Sequence, residues 1–348
     1  MKTPFLFFFY LSSAVAAYAQ DSLKSSAPWI SGYASVYYKY DFNKNVTDNK
    51  TSFTNSQNSF VPDMLSVKLQ HAIGRISFTG EIGFGKRAEE FSYNDKGLSA
   101  AIQQLFITYT PIPWLKLTAG SFATYIGYES AEANMNRNFS MSYLFSYGPF
   151  FHTGIKAEAT VGASTFLLGI FDPTDYKYAP YHSKKYAGGQ WAFSPKGSPF
   201  TSCLSYIGGT DTGGVRNDEA DLVVTYHFNK LLSMADDIAY SRYGGSVPAS
   251  CWWGNVWYLN ADLSDATGIT LRAEYFNDKD NLKVFTDKGK FPHGGSIWSF
   301  TLSCNYKIKS LALIPEVRLD HASNPLFTKG GSGIESSPSV LIAAVYSF

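Results

Sequence analysis

The chain has 348 residues, and its 29 lysines and arginines nearly balance 28 aspartates and glutamates, for a formal net charge of +1. Charged residues make up 16% of the sequence, against roughly 25% in an average soluble domain, whereas aromatic residues make up 17%. The charge balance excludes a nucleic-acid-binding protein that relies on a basic patch. The 45% hydrophobic content excludes intrinsic disorder. Beyond the N-terminus, no run reaches the ~18 apolar residues of a membrane-spanning helix.

Residues 1–19 have the pattern of a bacterial secretory signal peptide. Lys2 supplies a positive charge, an apolar stretch follows over 4–11, and an Ala-x-Ala cleavage site lies at 17–19. The sequence therefore predicts a signal peptide over 1–19 and a single mature domain over 20–348.

Apolar and polar residues alternate along most of the mature sequence, which is the side-chain period of a β-strand. Between Trp298 and Tyr306 every second residue is apolar, and those between are Ser, Thr or Asn. The pattern predicts sixteen strands, over 29–42, 63–71, 74–85, 100–110, 114–123, 150–160, 163–171, 187–194, 199–208, 220–228, 231–243, 251–263, 268–277, 296–306, 311–321 and 337–348. Because 187–194 and 231–243 alternate least clearly, fourteen and eighteen strands are the alternatives.

The predicted connections alternate in length, so that seven short turns and eight longer loops lie at opposite ends of the strands. Short periplasmic turns, long external loops and an even strand number are typical of outer-membrane β-barrels. Aromatic residues are found at many strand ends, where a membrane interface would lie: Trp29, Tyr40, Tyr109, Trp114, Phe171, Tyr226, Phe228, Trp253, Tyr306, Tyr346 and Phe348. The sequence predicts an all-β fold, a transmembrane antiparallel up-and-down barrel of about 16 strands.

No pattern of catalytic or metal-binding residues appears in the sequence. The six histidines are scattered without metal-ligand spacing, and the HExxH, GxSxG and phosphate-binding patterns are absent. We therefore predict that the protein is not an enzyme and that it holds no metal or cofactor. Two other classes stay open: an outer-membrane barrel enzyme, and a secreted soluble all-β domain that binds or acts on carbohydrate through its aromatic residues.

Three segments resemble the OmpL-like family of β-barrel porins. They are GYE at 127–129, NFSMSYLF at 138–145 and YGPFFHTG at 147–154. The resemblance implies a channel in the outer membrane of a Gram-negative bacterium, through which small hydrophilic solutes diffuse passively, and it brings no catalytic residues. Outer-membrane lipid and lipopolysaccharide are the implied surroundings, and a homotrimer is common among sixteen-stranded porins.

A sixteen-stranded barrel encloses a water-filled bore, so the polar face of each strand is predicted to line the pore. The charged residues on this face are Lys68, Arg75, Glu81, Lys116, Lys156, Glu158, Asp221, Asp262, Arg272, Glu274, Glu316, Arg318 and Asp320. Because six are basic and seven acidic, we predict weak ion selectivity.

The longest predicted connection, over 124–149, is the third external loop. In many sixteen-stranded porins this loop folds inward and narrows the pore. By that analogy, a constriction is predicted at Tyr125, Tyr128, Glu129, Glu132 and Arg137. The alternative is an exposed loop or a loop at a subunit contact.

Overall fold

The computed structural model describes residues 27–211 and 213–348. The predicted signal peptide over 1–19 lies outside these residues. In the part of the chain that is described, no helix has both the length and the apolar character needed to cross a membrane.

Sixteen antiparallel strands of the described residues form one closed barrel. They are β1 (Trp29–Asp41), β2 (Ser59–Ile73), β3 (Ile76–Phe84), β4 (Ile102–Ile112), β5 (Leu115–Ala123), β6 (Phe151–Val161), β7 (Ser164–Phe171), β8 (Tyr186–Phe193), β9 (Phe200–Thr210), β10 (Val215–His227), β11 (Leu232–Gly245), β12 (Ser250–Asp262), β13 (Thr267–Asp278), β14 (Gly295–Ile308), β15 (Leu311–Ala322) and β18 (Ser336–Ser347). The predicted all-β barrel is confirmed, including the two weakly patterned strands, β8 and β11.

Each strand of the barrel pairs with its neighbours in sequence, and the last strand closes on the first. The ladder between β1 and β18 runs from Tyr33 opposite Ser347 to Asp41 opposite Ser339. A separate hairpin of β16 (Phe327–Lys329) and β17 (Ser332–Ile334) lies in the last long connection.

Two of the external connections are shorter than the sequence predicts. β9 and β10 are separated only by 211–214, and β11 and β12 only by 246–249. Polar and glycine residues weaken the alternation there, but the antiparallel pairing continues to the ends of the strands. The other long connections, all at the same end of the barrel, span 42–58, 85–101, 124–150, 172–185, 279–294 and 323–335. The connection 85–101 contains the short helix α1 (Lys86–Phe91), and 124–150 contains α2 (Tyr143–Tyr147).

The alternation of the sequence divides each strand between two surfaces. On β14, the side chains of Trp298 and Leu302 are 41% and 46% exposed, whereas those of Ser299 and Ser303 are at most 1% exposed. Apolar side chains thus cover the outside of the barrel, and polar side chains face its bore.

Most of the aromatic side chains predicted at the membrane interface face outward. Trp29, Trp114 and Phe348 are each more than half exposed. Phe171 is the exception: it lies on the inner face of β7, fully buried, with its ring 6.1 Å from that of Phe122. Phe171 does lie at a strand end, but the prediction that its side chain faces the membrane interface is wrong.

We expect Leu302→Arg to lower the free energy of unfolding in lipid vesicles by about 2–4 kcal/mol, because an arginine at the bilayer midplane loses its hydration. Leu302 lies in the middle of β14 on the outer face. Denaturant titration in vesicles measures the loss. Ile308→Arg, at the end of the same face, is the matched control and should cost only about 0–1 kcal/mol. Equal losses would contradict a lipid-facing outer surface.

Candidate functional site

The connection 124–150, called the internal loop below, lies inside the barrel and reaches the end that carries the short turns. The Arg137 guanidinium donates two hydrogen bonds, of 2.8 and 2.9 Å, to the carboxylate of Asp262, the last residue of β12. The carbonyl oxygen of Arg137 accepts a hydrogen bond from the side chain of Asn305 on β14. The internal loop therefore spans the depth of the bore.

A buried ion pair fixes the middle of the internal loop to the wall. Nη1 of Arg272, on β13, lies 2.6 Å from the Glu129 carboxylate and 2.6 Å from the Ser140 carbonyl oxygen. Ser142 donates its backbone N–H and its hydroxyl to the same carboxylate, both at 2.8 Å. The side chains of Arg272 and Glu129 are 1% and 3% exposed. Since an unpaired buried charge is very unfavourable, this contact holds both arms of the internal loop in place.

Carboxylates of the wall also accept backbone N–H groups of the internal loop. Glu274 accepts hydrogen bonds from Tyr143 and Leu144, at 2.9 and 2.8 Å, where α2 begins. Glu316 accepts one from Phe139 at 3.0 Å. A buried irregular segment cannot satisfy all its N–H groups internally, so these inward-facing acids act as its hydrogen-bond acceptors.

A second connection is joined to the internal loop through Arg87 of α1. Its Nε lies 2.7 Å from Asp63 on β2, and both side chains are at most 1% exposed. At the register shift between β1 and β2, Asp63 has no partner residue in the strand ladder, and its side chain faces inward. The guanidinium also lies over the rings of Phe53 and Phe139, at 4.7 and 4.9 Å. Nothing in the sequence indicates this contact, because a register shift leaves no mark in the hydropathy pattern.

The internal loop packs against the wall from β8 to β15 and also reaches β1, where the Phe139 ring lies 5.5 Å from that of Tyr37. Beneath the internal loop, Arg272 and Thr301 are 0% exposed. On β2 and β6, the side chains of Lys68 and Glu158 are 19% and 22% exposed. Glu132, at the edge of the internal loop, is 23% exposed and lies 2.8 Å from the Lys68 ammonium. Partly exposed charged side chains thus lie on β2 and β6, where the internal loop covers the wall less completely.

The thirteen charged residues predicted to line a pore have different surroundings in the structure. Lys68, Lys116, Lys156 and Glu158 lie on the partly exposed wall. Seven others face inward but are buried by other side chains or by the internal loop: Glu81, Asp221, Arg272, Glu274, Glu316, Arg318 and Asp320. Alternation identifies the inner face, but it does not show what covers that face.

The remaining two of the thirteen predicted pore-lining residues, Asp262 and Arg75, lie near the short turns. Asp262 is at the end of β12, where its side chain is 41% exposed and paired with the internal loop. Arg75 is not in a strand, because β2 ends at Ile73 and the turn follows. Its guanidinium donates a hydrogen bond of 2.7 Å to the carbonyl oxygen of Pro111 in a neighbouring turn. The placement of Arg75 on a strand wall is therefore wrong.

The five predicted constriction residues are spread along the internal loop. Glu132 pairs with Lys68 of β2. Glu129 and Arg137 bind the wall as described above. Tyr125 donates its hydroxyl hydrogen to a backbone carbonyl oxygen of β9 at 3.0 Å, and Tyr128 packs against a tyrosine ring of β12 with centroids 4.4 Å apart.

A closed barrel with an apolar outside, a polar bore and an inward-folded third loop defines an outer-membrane channel protein. The chain belongs to the family BBP2, described as "Putative beta-barrel porin-2, OmpL-like", whose model matches residues 29–348. A search of curated proteins found no match.

Several solved structures of bacterial outer-membrane proteins share the fold. The anion-selective porin from Comamonas acidovorans is 12% identical, with a TM-score of 0.63 over 93% of this chain and 100% of that one. The outer membrane channel DcaP of Acinetobacter baumannii is 10% identical, with a TM-score of 0.63 over 96% and 100%. OmpT of Vibrio cholerae, described in a trimer form, is 11% identical, with a TM-score of 0.60 over 93% and 99%.

Family membership confirms the predicted outer-membrane channel and its location. The protein is a porin of the outer membrane of a Gram-negative bacterium, and the soluble carbohydrate-binding alternative is excluded.

We expect Arg272→Met to loosen the internal loop within a folded barrel, because the substitution leaves the Glu129 carboxylate buried without its cation. Limited trypsin digestion of the detergent-solubilised protein should then cut after Arg137 at least several times faster than in the native chain. Lys185→Met, which removes an exposed lysine outside the bore, is the control. Unchanged protection of Arg137 would show that the ion pair does not hold the loop.

Asp175, in the external connection 172–185, anchors the end of the internal loop. Its Oδ1 accepts hydrogen bonds from the backbone N–H groups of Phe150 and Phe151 at 2.7 and 3.1 Å, and its Oδ2 accepts one from the Tyr93 hydroxyl at 2.9 Å. Burial raises the pKa of Asp175 from its usual 3.8 to about 6, although these hydrogen bonds oppose the shift. Between these values the folded chain keeps a proton that the unfolded chain has released, so stability falls as pH rises.

The free energy of unfolding of the native chain should therefore fall by about 2 kcal/mol, relative to Asp175→Asn, between pH 4 and pH 7. Denaturant titrations of both proteins in the same detergent at the two pH values measure this difference. The contributions of the other titrating groups cancel in this difference, because both chains contain them. A difference that is independent of pH would contradict a raised pKa for Asp175.

Proposed function

We propose that small hydrophilic solutes diffuse passively through an off-centre passage between the internal loop and the wall formed by β2 to β7. One observation carries this proposal: charged side chains under the internal loop are buried, whereas Lys68 on β2 and Glu158 on β6 are partly exposed. The internal loop occupies much of the bore, so the passage is narrower than an empty sixteen-stranded barrel.

We further propose weak ion selectivity. Lys68, Lys116 and Lys156 border the passage together with Glu132 and Glu158, so the two signs nearly balance. The charges are also paired locally, with Lys68 2.8 Å from Glu132 and Lys156 3.4 Å from Glu158. Strong selectivity generally requires a ring of one sign, which this arrangement does not supply.

The pair of Glu132 and Lys68 is our proposed constriction, because these side chains reach towards each other from the internal loop and from β2. Glu129 and Arg137 are proposed to act indirectly, by holding the internal loop against the wall. Tyr125 and Tyr128 support the same loop through their contacts with β9 and β12.

A passive channel requires no catalytic group, so we propose that the protein is not an enzyme and needs no cofactor. Its outer face would contact outer-membrane lipid and lipopolysaccharide. A homotrimer is proposed because the similar OmpT of Vibrio cholerae is described in a trimer form. The mature chain, 20–348, would form one domain once the signal peptide over 1–19 is removed.

Deletion of residues 129–138 should increase the single-channel conductance severalfold, because it removes the part of the internal loop that bears Glu132 and crosses the bore. Planar-bilayer recordings of the purified protein measure this change. Deletion of 178–184 in an external connection is the control, since Tyr178 and Tyr181 are 75% and 88% exposed there. The control should leave conductance within the native range.

Heat-modifiable mobility on a gel verifies that both deletion variants form closed barrels. Native conductance in a folded 129–138 deletion variant would refute the proposed constriction. Absence of any conductance in the native protein would refute the passive channel itself.

A further inference from the structure

A cavity of about 680 Å³ lies above the internal loop, at the end of the barrel that carries the long connections. Residues of several connections enclose it together with the ends of β9, β10 and β11. Pro149 and Phe150 of the internal loop, Tyr243 of β11 and Leu282 of the connection 279–294 supply apolar surface. Its volume lies within the range of roughly 300–1,000 Å³ that is typical of small-molecule sites.

Three of the five charged side chains around this cavity are engaged elsewhere. The Glu90 carboxylate accepts hydrogen bonds from the backbone of Phe53 and the side chain of Asn55, at 2.7 and 2.8 Å. Asp175 accepts the three hydrogen bonds described above, and Lys86 pairs with an acid of its own helix at 3.1 Å. Glu219 and Lys283 are the remaining two. Glu219 has a hydrogen-bond partner in the Ser241 side chain, and neither Glu219 nor Lys283 forms an ion pair of 4.0 Å or less among the described residues.

Rigid supports hold Glu219 and Lys283 in place. Glu219 lies on β10 and is only 4% exposed. The internal loop passes close to it at Gly148, where a Cβ atom would lie 3.2 Å from the Glu219 carboxylate. Lys283 follows β13, where the carboxylate of Asp278 accepts four successive backbone N–H groups, including that of Lys283 at 3.0 Å. The Lys283 ammonium lies 5.3 Å from the centre of the Tyr243 ring. An acid and a base thus border one cavity without contacting each other.

We propose that this cavity binds zwitterionic solutes, such as α-amino acids and short peptides, before they enter the passage. Lys283 binds the solute's carboxylate, Glu219 binds its ammonium group, and Tyr243 with Phe150 contacts its side chain. A solute with both charges satisfies both protein groups, whereas a solute with a single charge leaves one of them unsatisfied, at a cost in affinity. The inference rests on the proposed passive channel and names a class of solute for it.

Isothermal titration calorimetry of the full detergent-solubilised protein tests this proposal with alanyl-alanine and three capped analogues. N-acetyl-alanyl-alanine keeps only the negative charge, alanyl-alanine methyl ester keeps only the positive charge, and acetyl-alanyl-alanine N-methylamide has neither. We expect alanyl-alanine to bind at least about tenfold more tightly than each analogue, since each missing charge removes a charge-assisted hydrogen bond. Equal binding of any analogue, or no saturable binding of alanyl-alanine, would overturn the proposal.

Substitutions then assign the two charges to residues. Glu219→Gln and Lys283→Met should each weaken alanyl-alanine binding about tenfold. Lys290→Met and Glu335→Gln remove exposed charges that do not border the cavity, and they should bind as the native chain does. Native affinity in both Glu219→Gln and Lys283→Met would refute the assignment.

Liposome swelling with arabinose separates this inference from the proposed function. Passage of the sugar without dipeptide binding would refute the zwitterion site and retain the passive channel. Dipeptide binding without passage of any solute would refute the passive channel and retain the site.

Discussion

In a hydrocarbon layer every backbone N–H and C=O must find a partner within the protein, and the rest of this structure depends on that requirement. The ladder between β1 and β18, from Tyr33 opposite Ser347 to Asp41 opposite Ser339, satisfies the last two strand edges. Once the sheet is closed, alternate side chains necessarily divide between lipid and bore. The low content of charged residues follows from this division, because polar side chains are needed only on the face towards the bore.

The same requirement acts a second time inside the bore. An irregular segment such as the internal loop has few partners of its own, so the wall supplies them through Arg272, Glu274 and Glu316. Much of the charge on the inner wall therefore stabilises the internal loop and does not contact water. The partly exposed charges lie where this packing is least complete, on β2 and β6.

The hydropathy pattern of the sequence was sufficient to place sixteen strands, and it failed where local geometry departs from regular pairing. Asp63 faces inward only because the register shifts beside it, and Arg87 is buried only because α1 folds back towards Asp63. Tyr33 and Tyr37 face inward on β1, whereas Tyr38 and Tyr40 of the same strand do not. Because tyrosine is compatible with both the lipid-facing and the bore-facing surface, the sequence of β1 does not show which of its residues face inward.

The sequence by itself determined the fold class, a strand number of about sixteen and the inner face of most strands, because these depend on a period of two along the chain. Only the tertiary structure decided which inward charges meet water. That outcome depends on contacts such as Glu129 with Arg272 and Lys68 with Glu132, between residues far apart in the sequence. No local pattern encodes such contacts, since they form only when the closed sheet brings its wall and the internal loop together.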